Sequence, residues 1–200
     1  MNSMRLGFGA LLVFALAVTG CATKVERIGS DQVKDLSGVW NDTDSRLVSE
    51  EMIRDVLSRP WIDEHQRKSG KAPAVIVGEV RNKSHEHINV TTFVSDMERD
   101  LINSGRVEFV ASKSERGEIR DERKDQDVNA AEATRKEMGQ ERGADFMLQG
   151  TISTIIDTEG KKQVRFYQVD LTLTSMADNR KVWLGQKKIK KYIEGSNLRP

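Results

Sequence analysis

The sequence has a single cysteine and three prolines among its 200 residues. One cysteine excludes an intrachain disulfide framework and any multi-cysteine metal site. Three prolines exclude a proline-rich spacer. Long apolar runs are missing as well. The longest apolar stretch, Leu6 to Val18, covers 13 residues, and a helix needs ~20 to cross ~30 Å of hydrocarbon. Nor does either charge dominate. With 32 Lys and Arg against 31 Asp and Glu, the balance argues against a strongly basic nucleic-acid binder. The length suits one domain of ordinary size plus a tail.

The apolar run has a specific setting. Arg5 precedes it, Val18-Thr19-Gly20-Cys21 ends it, and this order of basic residue, short apolar core and small residues describes a secretory signal peptide. A signal peptide followed by a chance cysteine is the plainer alternative. Val-Thr-Gly-Cys resembles the bacterial lipobox, which implies a diacylglyceryl group on the Cys21 sulfur, cleavage before it and N-acylation of the new terminus. The covalent lipid is then the only prosthetic group expected. Each buried CH₂ adds ~0.8 kcal/mol, so several acyl chains make a stable anchor. By the same resemblance, Ala22 in place of Asp implies the outer membrane of a Gram-negative bacterium, with the protein on its periplasmic side. Cleavage removes Arg5, the only charged residue of 1–20, and leaves 31 charges of each sign.

The remaining chain divides into a lipid-anchored tether over 21–43 and a domain over 44–200. The tether has no convincing period. Val48, Met52 and Val56 predict an amphipathic helix over Ser45 to Arg59, stopped by Pro60. Ala74 to Val80 reads as a strand. Val90, Val94, Met97 and Leu101 keep the spacing of a buried helix face, with Gly105 as its cap. Val107 to Val110 is a short second strand. Residues 114 to 127, with ten charges, read as a solvated helix or a mobile loop. Asn129 and Glu132 resemble a capping box opening a helix to about Arg142. Phe146 to Asp157, Arg165 to Thr174 and Lys181 to Ile193 are three strands joined by turns, an antiparallel meander. The expected fold is α/β, a single sheet of four to five mostly antiparallel strands flanked by helices.

Catalytic patterns are not found. His85-Glu86-His87 is the one cluster that invites a metal reading, but no further ligand lies at a usable spacing, and a polar loop explains it. No phosphate-cradling loop, nucleophile elbow or available catalytic cysteine occurs, so no catalytic residue is assigned and a non-enzyme is expected. From Arg180 to Lys191 there are six basic residues and no acid. Such a stretch is either an edge strand blunted by lysines or a docking surface for an acidic partner.

Several segments together carry a family resemblance. They are Ala74-Val75-Ile76-Val77 through Val80-Arg81-Asn82-Lys83-Ser84, His87-Ile88-Asn89, Leu101-Ile102-Asn103-Ser104-Gly105, Phe109-Val110, Gly143-Ala144-Asp145-Phe146-Met147-Leu148-Gln149-Gly150 and Lys181-Val182-Trp183. In that order they are similar to the LpoB-type outer-membrane lipoproteins, which activate class A penicillin-binding proteins. The resemblance implies regulation of peptidoglycan synthesis without turnover and a bifunctional synthase as partner, while the charge balance leaves no nucleic-acid partner expected. Matched residue by residue, it points to Asn82 and Lys83 as partner contacts, and further to Phe146 and Gln149. Alternation with Leu148 places Phe146 equally well in the core. The chain departs from the family in its short, proline-poor tether. The alternative is a non-enzymatic assembly or secretion lipoprotein docking to another periplasmic complex.

Overall fold

The computed structural model describes residues 24–195. The segment expected to be a signal peptide and the expected lipid site Cys21 lie outside the described residues. The chain divides into two units, Met1–Gln32 and Val33–Pro200. Of the first, residues 24–32 are described, and they hold one turn closed by the Gln32 N–H on the Gly29 carbonyl at 3.1 Å.

The second unit opens with helix α1, Asp42–Ser58. Asn41 and Asp44 cap it reciprocally, each side chain accepting the other's backbone N–H at 3.1 and 3.0 Å. Val48, Met52 and Val56 are buried on one face, where each such side chain contributes about 1.5–3 kcal/mol. Arg59, in the extended region before Pro60, ends the helix. Helix α2, Trp61–Ser69, follows at once and closes on Gly70 at φ 70°. No apolar period in the sequence marks this helix, because α2 offers only Trp61 and Ile62 to the core.

Strand β1 spans Ala74–Lys83, helix α3 Thr91–Asn103 and strand β2 Glu108–Phe109. Helix α4, Lys113–Asn129, buries none of its residues. Ser112 and Glu115 cap it reciprocally. The helix expected from Asn129 to Arg142 does not form. Asn129 is instead the last residue of α4, and only turns and irregular chain follow to Ala144. Its apolar side chains are alanines and an exposed Met138, and Gly139 at φ 82° interrupts helical backbone within the span.

Strands β3 (Phe146–Glu159), β4 (Lys162–Ser175) and β5 (Lys181–Glu194) form the meander. The sheet order is β2-β1-β3-β4-β5. β1 lies parallel to both β2 and β3, whereas β3, β4 and β5 are antiparallel. The fold is therefore α/β with one mixed five-stranded sheet. Asp145 fastens the parallel strands where they start. Its carboxylate accepts the Ala74 N–H at 2.8 Å, and its own N–H reaches the Ala74 carbonyl at 2.7 Å.

One face of the sheet carries Phe146, Leu148, Ile152, Tyr167, Val169, Leu171, Leu173 and Trp183, which join the apolar faces of α1, α2 and α3 in a single core. The alternate residues form the outer face, and along β4 every second residue is buried while its neighbours are half-buried.

Candidate functional site

The pairing register decides which of the sequence-derived contact residues can act together. Lys83 stands opposite Ser153, Ser153 opposite Gln168, and Gln168 opposite Lys188. Side chains of such a row share one face, here the outer one. Gln149 lies on that face four residues before Ser153, ~13 Å away along the strand. It is exposed, facing Thr172 and then Leu184 across the sheet. Lys83 and Gln149 thus belong to one surface.

Asn82 and Phe146 do not join it. Asn82 spends its side chain shaping the loop after β1. Its Oδ1 accepts from the Ser84 N–H and hydroxyl at 2.9 and 2.6 Å, and its Nδ2 donates to the Glu86 carbonyl at 2.7 Å. Phe146 is a core residue. Its ring packs edge-on to Trp61 and His65, with centroids 5.1 and 5.4 Å away, and burial takes it out of a partner's reach.

Three residues of the outer face had no signal of their own in the sequence. Ile155 and Leu184 are each 66 % exposed and Tyr192 60 %. Half-buried Phe166 lies beside Ile155, with Lys190 next in the row. Large apolar side chains this accessible, rimmed by Lys83, Lys188 and Lys190, give the face the mixture that protein interfaces use. Asp170 at its centre accepts hydrogen bonds from Gln168 Nε2 at 2.8 Å and Gln186 Nε2 at 2.7 Å.

The basic stretch from Arg180 to Lys191 divides by strand alternation. β5 is an edge strand. Lys187 and Lys191 turn inward to pair with Glu51 and Asp44 of α1, and so fasten the helix to the sheet. Lys188 and Lys190 turn outward, exposed.

On the core side, beyond the apolar residues, lies a polar cluster. Arg165 follows the inward alternation of β4 and is 8 % exposed. Its guanidinium pairs with Glu86, and its Nε donates to Gln163 Oε1 at 2.6 Å. The Tyr167 hydroxyl is 2.6 Å from Glu86 Oε1, and burial, reinforced by that carboxylate, pushes the phenol above its usual range. At the other end of β5, the Trp183 indole donates to Asp55 at 2.7 Å. Burial alone would raise the Asp55 carboxyl, yet donation by Arg59 and Trp183 prevails and holds it below the usual range. Asp178 in the β4–β5 turn is held at about 2, chiefly by the Ser175 side chain and then by Arg180.

His85 and His87 assemble no ligand set. The His85 ring contacts Thr154 Oγ1 at 3.0 Å, and among the described residues no three His, Cys, Asp or Glu side chains converge as a metal site. No helix of the described residues is long and apolar enough to cross a membrane.

A family model described as peptidoglycan-synthase activator LpoB matches residues 44–189. Among solved structures, the chain is similar to lipoprotein GNA1162 from Neisseria meningitidis at 11 % identity, with 62 % of this chain and 87 % of that one covered and a TM-score of 0.39. It is similar to the LpoB C-terminal domain from Escherichia coli at 14 % identity, covering 72 % and 98 % with a TM-score of 0.36. For the LpoB C-terminal domain from Salmonella enterica, identity is 13 %, coverage 66 % and 94 %, and the TM-score 0.33. Comparison with curated proteins gives no match.

Proposed function

Since the chain belongs to the LpoB family of peptidoglycan-synthase activators, we propose that it binds and activates a class A penicillin-binding protein. The observation that carries this reading is the family match, which runs from α1 nearly to the end of β5. In this reading the protein is a regulator without turnover of its own. It is held at the periplasmic side of the outer membrane by lipid on Cys21, and it presents the outer sheet face around Lys83 and Gln149.

Activation of this kind is a population shift. A synthase that exchanges between resting and active conformations is driven toward the second only as far as the activator prefers it. A tenfold rise in an initially rare active state needs a tenfold preference, or about 1.4 kcal/mol of differential affinity. A few contacts at one face supply that much. The rim lysines would speed encounter with an acidic patch, and Leu184, Ile155 and Tyr192 would add the desolvated contact.

Capture with the tagged full-length chain from cross-linked envelopes tests the reading. Recovery of a class A penicillin-binding protein supports it. Recovery of secretion or outer-membrane assembly components without a synthase would establish the alternative.

A further inference from the structure

Residues 35–41 precede the first helix, yet they are tied to the folded unit by side chains from three distant elements. The Trp40 N–H donates to Glu86 Oε2 at 2.9 Å. Lys191 Nζ donates to the Val39 carbonyl at 3.0 Å. The Tyr167 hydroxyl lies 3.2 Å from the Gly38 carbonyl and 2.6 Å from Glu86 Oε1. The Trp40 ring meets the Tyr167 ring edge-on at 5.4 Å, and its Nε1 donates to Ser45 Oγ at 2.8 Å. Gly38 lies so close to β5 that a Cβ there would come within 1.9 Å of Ile193 Cδ1.

These contacts form a cleft that holds main chain through polar groups. Two of its three backbone contacts fall on carbonyl oxygens and one on an N–H, and only Trp40 adds a large ring. Little apolar surface is covered in exchange, since Leu36 is 88 % exposed and Val39 40 %. A segment fastened by a few polar bonds and one aromatic contact opens far more readily than the core strands beneath it.

We propose that the Glu86, Tyr167 and Lys191 cleft is a reversible binding site for the chain's own segment 35–41, a strap whose release lengthens the tether. Strapped, the tether ends near residue 32, where the second unit begins. Released, it gains the residues up to Asn41, which reach up to ~30 Å when extended and ~17 Å as a coil. The consequence for reach rests on the lipid anchor and the activator role proposed above. The strap itself does not.

Hydrogen exchange on the full-length protein in lipid vesicles reads the strap without any partner. The Trp40 amide is the reporter, because its one acceptor is the Glu86 carboxylate. It should exchange at least tenfold more slowly than amides of residues 24–32, and faster than the β4 amides. Tyr167→Phe keeps the ring but loses the hydroxyl, and should speed Trp40 exchange about tenfold, more than it speeds exchange in β4. Gly38→Ala should do the same from the other side, leaving the cluster untouched. The strap is refuted if the Trp40 amide already exchanges as fast as residues 24–32, or if it opens only together with β4.

Reach is tested by deleting residues 24–32. If the intact chain stimulates its synthase in reconstituted membranes, the deletion should lower stimulation and Gly38→Ala in that background should recover part of it. No recovery overturns the lengthening. An intact chain that stimulates nothing refutes the activator reading, and the exchange result then decides the strap alone.

Discussion

Replacing Arg165 by Met tests how the polar cluster under β4 is held. Arg165 is 8 % exposed, and the side chain of its partner Glu86 is 13 % exposed. Methionine has similar reach and leaves the packing nearly filled, but Glu86 then keeps only the Tyr167 hydroxyl at 2.6 Å and the Trp40 N–H at 2.9 Å. Breaking a buried ion pair from one side costs about 3–5 kcal/mol, because the remaining charge is stranded. Two surviving donors place this case near 3 kcal/mol. For a domain of this size that lowers Tm by roughly 6–12 °C. Removing both charges, in Arg165→Met with Glu86→Gln, should recover most of the loss, since a buried pair is worth little against neutral side chains of similar volume. Thermal unfolding by circular dichroism of the four proteins closes a double-mutant cycle. A drop of less than about 2 °C in Arg165→Met, or losses that simply add in the double variant, would refute the view that the cluster acts as one buried unit.

The raised Tyr167 phenol makes stability fall at alkaline pH. The unfolded phenol loses its proton near its ordinary value of 10.0 while the folded one keeps it, so stability is full below pH 10 and declines above it. Urea unfolding between pH 8 and 11 should show this slope, and Tyr167→Phe should flatten it. Gly150→Ala brings a Cβ within 2.5 Å of the Asp170 carbonyl oxygen, a backbone atom, and should cost about 1–3 kcal/mol in denaturant titration. Gly117→Ala on α4 has nothing within 4 Å and should gain about 0.5–1 kcal/mol. Lys83→Glu and Lys188→Glu should each slow association with the synthase in surface plasmon resonance and reduce its salt dependence, with Tm unchanged.

Much of this architecture was legible in the sequence, for a physical reason that also marks the limit. Val48, Met52 and Val56 repeat at helical spacing, and Arg165 to Leu173 alternate over a long run, so α1 and β4 are read from periodicity alone. Even the inward position of Arg165 follows from that alternation. α2 escaped notice because its stability comes from two adjacent apolar residues, which have no period. The helix expected from Asn129 does not form because Asn129 is already the last residue of α4, and Gly139 at φ 82° breaks the span that would follow. The working capping box stands at Ser112 and Glu115 instead.

The candidate surface was half legible. Lys83 and Gln149 were named from the family resemblance, but their shared face follows from cross-strand register, which no single strand encodes. The strap was not legible at all. Trp40 and Glu86 are 46 positions apart and Tyr167 lies 129 from Gly38, and what joins them is side chain to backbone, a contact that demands no residue pattern in the segment being held. The basic edge shows the same limit. Its charges were plain in the sequence, but their division between α1 and the outer face needed the sheet.

Activation of a peptidoglycan synthase is open to a direct assay. The quantity to measure is the rate of glycan polymerisation from lipid-linked precursor by each class A penicillin-binding protein of the host, purified and assayed with and without the full-length chain in mixed detergent–lipid micelles. At least one synthase should polymerise faster, saturably with added protein, and Lys83→Glu should shift saturation to higher concentration. Unchanged rates for every synthase, under conditions where the chain is folded and lipidated, would contradict it.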